Sequence, residues 1–134
     1  MESMNEEKEL LEHVMKLMAE HFGKNCEIVL HDFMAPDIIG IGNGEVTGRE
    51  IGGCVTNLGL EILNGKPAED AFNYATYAEN GHLLRSSSIY FHNSAGQPIG
   101  SLCINTDITD TTDQVFHHFC FVFSIFVLPG SIKL

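Results

Sequence analysis

Two stretches place polar side chains where apolar ones are expected. His31 and Asp32 end a run that begins at Cys26 and is otherwise rich in Ile, Val and Leu. Ser86, Ser87 and Ser88 interrupt a second apolar run, and Asn105 follows in a third. An imidazole and a carboxylate at a strand end offer a donor and an acceptor to a small ligand. The plainer alternative is that His31 satisfies a backbone carbonyl and Asp32 caps a loop. Neighbours on a strand point to opposite faces, so the two do not act on one atom. Three consecutive hydroxyls put at least one on each face of a sheet. Ser86 and Ser88 share a face because strand side chains alternate with period two. Hydroxyls on a covered face can hold a small polar molecule, with Asn105 beside them. On a solvated face they would only pair with one another across strands.

Metal and nucleophile chemistry are poorly supplied. The four cysteines, Cys26, Cys54, Cys103 and Cys120, are widely and irregularly spaced, without the short paired spacing of structural zinc. Adjacent His117 and His118 would lie ~100° apart on a helix, a poor chelating arrangement. His13 and His21 lie eight apart on one helical face, a pair that is most often simply solvated. No metal or other cofactor is expected. The chain has neither a Gly-x-Ser-x-Gly elbow nor a Walker loop. A hydrolase or transferase using Cys103 is the alternative from another class, but a thiol in mid-strand is more often inert core. The expectation is no enzymatic activity.

The elements that position these residues follow from hydrophobic period. Leu10, Leu11, Val14, Leu17, Met18 and Phe22 recur at three- and four-residue spacing, which predicts a helix. Ser3 and Glu6 have capping-box spacing before it, and Gly23 offers a stop. Residues 26–33 read as a central strand and 38–41 as a second, ended by an Asn43-Gly44 turn. A short helix over 58–63 is capped by Thr56 or Asn57, and a brief helical turn is predicted near 68–72. Strands over 74–78, 83–92 and 98–108 close the set, with the Asn80-Gly81 hairpin signal between the first two. The order is that of an α+β domain with antiparallel hairpins and helices gathered on one face. Residues 115–128 are almost uniformly apolar yet too short for the ~18–20 residues that cross a bilayer. Such a helix must be buried, in this chain or against a partner.

Composition narrows the partners. A chain of 134 residues is one domain's worth. Seven Lys and Arg against 18 Asp and Glu give a net charge of −11. That balance opposes docking on nucleic acid or anionic lipid, both of which need clustered cations. The acidic N-terminus is unlike a secretory signal, and the unpaired cysteines suit a reduced, cytoplasmic setting.

The order of elements resembles a PAS domain, and specific stretches resemble the YheO-like PAS family. These are residues 22–32 (FGKNCEIVLHD), residues 42–49 (GNGEVTGR), Leu84-Arg85-Ser86-Ser87-Ser88, and residues 96–107 (GQPIGSLCINTD). The resemblance covers about residues 8 to 108. It implies a five-stranded antiparallel sheet, an N-terminal helix and short helices between the second and third strands. It also implies a sensor in front of a helix-turn-helix domain, in bacterial regulators of which some resemble repressors of amino-acid utilisation. Residues 1–108 are thus expected to form the sensor, and 109–134 a Phe-rich segment in place of the basic helix-turn-helix, so DNA contact is expected only through that missing domain. In the family's architecture a cavity lies between the sheet and the helices around 56–72. Asn43, Asn57, Ser86, Ser88 and Asn105 are expected to reach it, with His31 and Asp32 at its end. A small polar effector, an amino acid foremost, and a homodimer complete the expectation, the dimer because the N-terminal helix and the Phe-rich segment carry more apolar surface than one small sheet covers.

Overall fold

A computed structural model describes residues 1–53 and 57–109, apart from the side chains of Asn57 and Leu58. Helix α1 spans Lys8–Phe22 and strands β1 and β2 span Cys26–Asp32 and Asp37–Gly42. Helix α2 spans Asn57–Leu63, and β3, β4 and β5 span Ala71–Tyr77, Leu83–His92 and Pro98–Asp107. The five strands form one antiparallel sheet in the order β2-β1-β5-β4-β3. β1 is buried along its whole length because it lies inside the sheet and is covered on both faces.

The two faces differ in chemistry. Cys26, Ile28 and Leu30 of β1 join Met4, Met15, Ile99 and Leu102 in the main apolar core, beneath α1. The alternate residues of β1, Glu27, Val29 and His31, are as deeply buried but face the other way. Strict alternation along β5 would put Ile99 with Ser101, yet Ile99 belongs to the apolar core. A register irregularity between Phe91 and His92 leaves Ile99 as an extra residue and resets the parity. From Gly100 onward β5 then turns Leu102 and Ile104 to α1, and Ser101, Cys103 and Asn105 away from it. Gly42 permits the close seat of α1, since a Cβ there would sit 2.8 Å from the Ala19 Cβ.

Three local expectations need correction. The capping box does not form: Ser3 makes no side-chain cap bond, and a 3-10 turn over Met4–Glu7 uses its carbonyl instead, accepting from Glu6 N–H at 3.3 Å. That tighter turn drives Met4 fully into the core, while the Glu6 carboxylate accepts from Glu2 N–H. The face of α1 that packs is Leu11, Met15, Met18 and Ala19, and Leu10, Val14, Leu17 and Phe22 remain exposed. No helical turn forms at 68–72, because β3 already begins at Ala71. Asp70 accepts from Tyr90 N–H at 2.9 Å, and Asn73 takes a left-handed conformation (φ 54°) whose N–H donates to Ser87 Oγ. These bonds hold the segment to the edge of β4 through a bulge. The Phe-rich segment from 110 onward, with His117, His118 and Cys120, lies outside the described residues.

Candidate functional site

The face of the sheet turned away from α1 floors a cavity of about 640 Å³. Cross-strand pairing arranges the residues of this face in rows. His31, Ser101 and Tyr90 form one; Val29, Cys103 and Ser88 the next; Glu27, Asn105, Ser86 and Tyr74 the third. Each strand contributes alternate residues, so a polar residue every second position builds a polar floor under an otherwise apolar sheet. Phe33, packed against Tyr90, and Ile38 supply apolar wall at one end. Thr47–Glu50, Gly53, which accepts from Ile38 N–H, and Gly59 of α2 complete the lining.

Most of the polar groups satisfy one another. Tyr74 O–H and Ser88 Oγ are 2.6 Å apart, and Thr76 Oγ1 and Ser86 Oγ 2.7 Å. Ser88 donates to Cys103 Sγ at 3.2 Å. Ser101 Oγ lies 3.2 Å from His31 Nδ1 and 3.7 Å from Cys103 Sγ. At the far end Glu27, wholly buried, is held from three sides. Asn105 Nδ2 donates to its Oε1 at 3.0 Å, Thr47 Oγ1 donates to its Oε2, and the Arg49 guanidinium lies 3.5 Å from Oε1. A carboxylate removed from water needs such an arrangement, since an unpaired buried charge costs several kcal/mol. One buried atom of the cavity stays without a partner among the described residues: His31 Nε2.

His31, Cys103, Tyr74 and Tyr90 are neutral at pH 7. Burial, seconded by the charge of Arg49, pushes His31 down to about 4. Burial pushes Cys103 up, against the opposing effect of its contacts with Ser88 and Ser101. Burial also raises Tyr74, and takes Tyr90 up to about 12. A nucleophilic Cys103 requires a thiolate and a base beside it. Here the thiol keeps its proton, and His31 is bonded to Ser101 instead. The geometry supports binding by hydrogen bonds, not covalent catalysis.

The expected site residues divide accordingly. His31, Ser86, Ser88 and Asn105 meet on the cavity floor. Asp32 does not join them: its Oδ1 accepts from Met34 N–H at 2.8 Å and Ala35 N–H at 3.4 Å, closing the turn into β2. Asn43 is displaced to the other side of the sheet. Its Nδ2 donates to the carbonyls of Ala19, Gly23 and Cys26 at 3.1, 3.0 and 2.9 Å, pinning the end of α1 to the start of β1. There it lines a groove of about 420 Å³ between α1 and β2. The side chain of Asn57, at the start of α2, lies outside the described residues. Sequence reading missed Glu27, Thr47, Arg49, Tyr74, Thr76 and Ser101. A signal existed for two pairs: Tyr74 and Thr76, like Ser101 and Asn105, repeat the even spacing of Ser86 and Ser88. Among the described residues no three His, Cys, Asp or Glu side chains gather at a metal site, and no helix is long and apolar enough to cross a membrane.

A family model described as the YheO-like PAS domain matches residues 2–120. The chain belongs to the YheO-like PAS domain family. This YheO-like PAS domain is 36% identical over 113 residues to YheO of Escherichia coli K12, across 81% of this chain and 47% of that protein. It is 34% identical over 96 residues to the transcriptional regulator DauR of Pseudomonas aeruginosa, across 69% of this chain and 43% of DauR. The chain thus spans about half the length of the curated relatives it matches. Among solved structures, a sensory box histidine kinase/response regulator from Burkholderia thailandensis aligns with 81% of this chain and 94% of its own, at 15% identity and a TM-score of 0.47. This is a PAS-like regulatory domain related to transcriptional regulators.

Proposed function

We propose that this YheO-like PAS domain is the sensory part of a cytoplasmic bacterial transcriptional regulator, and that its cavity binds a small polar metabolite without transforming it. An amino acid is the foremost candidate, by the family resemblance. The observation that carries the reading is the polar floor itself. Hydroxyls, an amide and an imidazole converge from four strands on a cavity of about 640 Å³, within the ~300–1,000 Å³ range usual for small-molecule sites. In this proposal residues 1–108 form the sensor, which carries no DNA contact of its own, and DNA contact belongs to a separate helix-turn-helix domain.

A ligand present at a hundredfold excess over Kd stabilises the fold by about 2.7 kcal/mol, which for a domain this size raises Tm on the order of 10 °C. Screening amino acids by thermal shift is therefore expected to find at least one stabiliser, with no turnover. Ser88→Val removes the hydroxyl between Tyr74 and Cys103, adds one methyl group's bulk to the floor, and is expected to abolish the shift in a protein that remains folded. A Tm response unchanged by Ser88→Val would count against the cavity as the binding site.

The proposal includes a homodimer through α1. Leu10, Val14 and Leu17 are 58, 40 and 69% exposed and lie along the side of α1 that does not pack on the sheet. Exposed apolar surface of this extent on one helix marks an association face. Sedimentation at high micromolar concentration is expected to show a dimer that Leu17→Glu dissociates. A monomer of ~15 kDa at that concentration would remove this part of the proposal.

A further inference from the structure

We infer that the ligand of this cavity carries a carboxylate, and that one of its oxygens accepts a hydrogen bond from His31 Nε2–H. The inference rests on the proposed ligand-binding reading and adds the chemical class and the recognition atom.

Proton counting along the floor, started from the one directed bond, gives a consistent direction from Tyr74 to His31. Ser88 has one hydroxyl proton and donates it to Cys103 Sγ. Tyr74 must then be the donor in its 2.6 Å contact with Ser88. Cys103 accepts from Ser88, and its thiol keeps a proton because burial pushes its ionisation up. Among the described residues the remaining partner of that thiol is Ser101 Oγ, at 3.7 Å, where either atom can donate, and the S–H is assigned to that contact. Ser101 accepts from Cys103 and therefore directs its own proton to His31 Nδ1, at 3.2 Å. A ring that accepts at Nδ1 and is neutral must hold its proton at Nε2. The chain Tyr74–Ser88–Cys103–Ser101–His31 thus runs one way and ends in a donor.

That donor has nothing to donate to. His31 is 3% exposed, lines the cavity, and its Nε2 has no hydrogen-bond partner. Buried N–H groups in folded proteins are almost always satisfied, so the missing acceptor belongs to what fills the cavity. Charge selects among acceptors. Arg49 is the one Lys or Arg lining the cavity among the described residues, and its guanidinium has five N–H donors, of which Glu27 engages one nitrogen loosely at 3.5 Å. A carboxylate accepting from His31 Nε2–H makes a charge-assisted bond that a neutral carbonyl does not match, and the positive charge of Arg49, which reaches His31 electrostatically, favours it further. Glu50 and Glu79 also line the cavity and repel a second anionic group, so the rest of the ligand is neutral or cationic.

Two measurements on the full chain test this. Long-range 15N–1H NMR of the apo protein at pH 7 reads the His31 tautomer directly. The Nε2–H form is expected, and the Nδ1–H form would overturn the inference while leaving the cavity reading standing. The second measurement compares binding of amino acids and small monocarboxylates with binding of their primary amides and decarboxylated amines. The best carboxylate is expected to bind at least ~10-fold more tightly than its amide, to weaken by a similar factor in His31→Leu, and to recover in His31→Gln, whose amide N–H substitutes for Nε2–H. Equal binding of acid and amide overturns the inference alone, on wild-type protein and whether or not His31→Leu folds. Binding of no compound in the set overturns it together with the reading on which it rests.

Discussion

Replacing Arg49 with methionine is expected to destabilise the fold by about 2–3 kcal/mol, although Arg49 sits in a loop and belongs to no strand or helix. The reason is Glu27. Its carboxylate is wholly buried in the sheet, and Arg49 is the one cation paired with it among the described residues. Removing one partner of a buried pair costs ~3–5 kcal/mol, because the other charge is left uncompensated. The cost here falls toward or below the lower end. Arg49 is itself 30% exposed, the contact is 3.5 Å, and the bonds from Thr47 and Asn105 persist. Urea denaturation of R49M, E27Q and the double variant closes a thermodynamic cycle. The double variant should lose less than the sum of the singles, since the neutral amide no longer needs the guanidinium. An R49M variant within ~0.5 kcal/mol of wild type would show that Glu27 is held by its neutral donors alone.

Acid should weaken the protein through His31. Its folded-state value of about 4 lies below the ordinary 6.5, owing first to burial and then to Arg49. The unfolded chain therefore takes up a proton that the folded imidazole refuses. Stability from this group is complete above pH 6.5, declines as pH falls, and is lost as pH passes down through about 4, most of it, roughly 3 kcal/mol, by pH 4. The neighbours of the ring are the neutral Ser101, Tyr90 and Cys103 on adjoining strands, and the cationic Arg49 across the cavity. None of these offers a carboxylate to hold an imidazolium. Between pH 7 and pH 4 wild type should thus lose about 3 kcal/mol more than His31→Gln, which cannot titrate. Parallel losses in the two proteins would contradict the neutral, buried imidazole.

Why some of this was legible in sequence and some was not follows from the range of the forces involved. Period is local, so α1, β4 and the shared face of Ser86 and Ser88 were visible in residue spacing. The Asn43-Gly44 turn was visible for the same reason, and Asn43 does adopt a left-handed φ of 56°. What that amide does next was not visible, because its three carbonyl partners come from residues 17–24 positions away. Glu27 looked like a stray charge in a strand, since its partners Thr47, Arg49 and Asn105 are brought to it only by folding. The bulges at Ile99 and Asn73 were hidden too. Each inserts one residue and resets which face the following residues take, and no local composition announces it. Asp32 had both readings open on sequence, and the hydrogen bonds to Met34 and Ala35 decide for the turn.

The central claim is that the polar face of the sheet, opposite α1, is a ligand site. Titrating 15N-labelled protein with the strongest stabiliser from the amino-acid screen, and following amide shifts, tests it most directly. Saturable changes concentrated at Ser86, Ser88, Ser101 and Asn105, with the groove between α1 and β2 silent, are the predicted result. Changes confined to that groove, around Met15, Ala19 and Gly42, would contradict it.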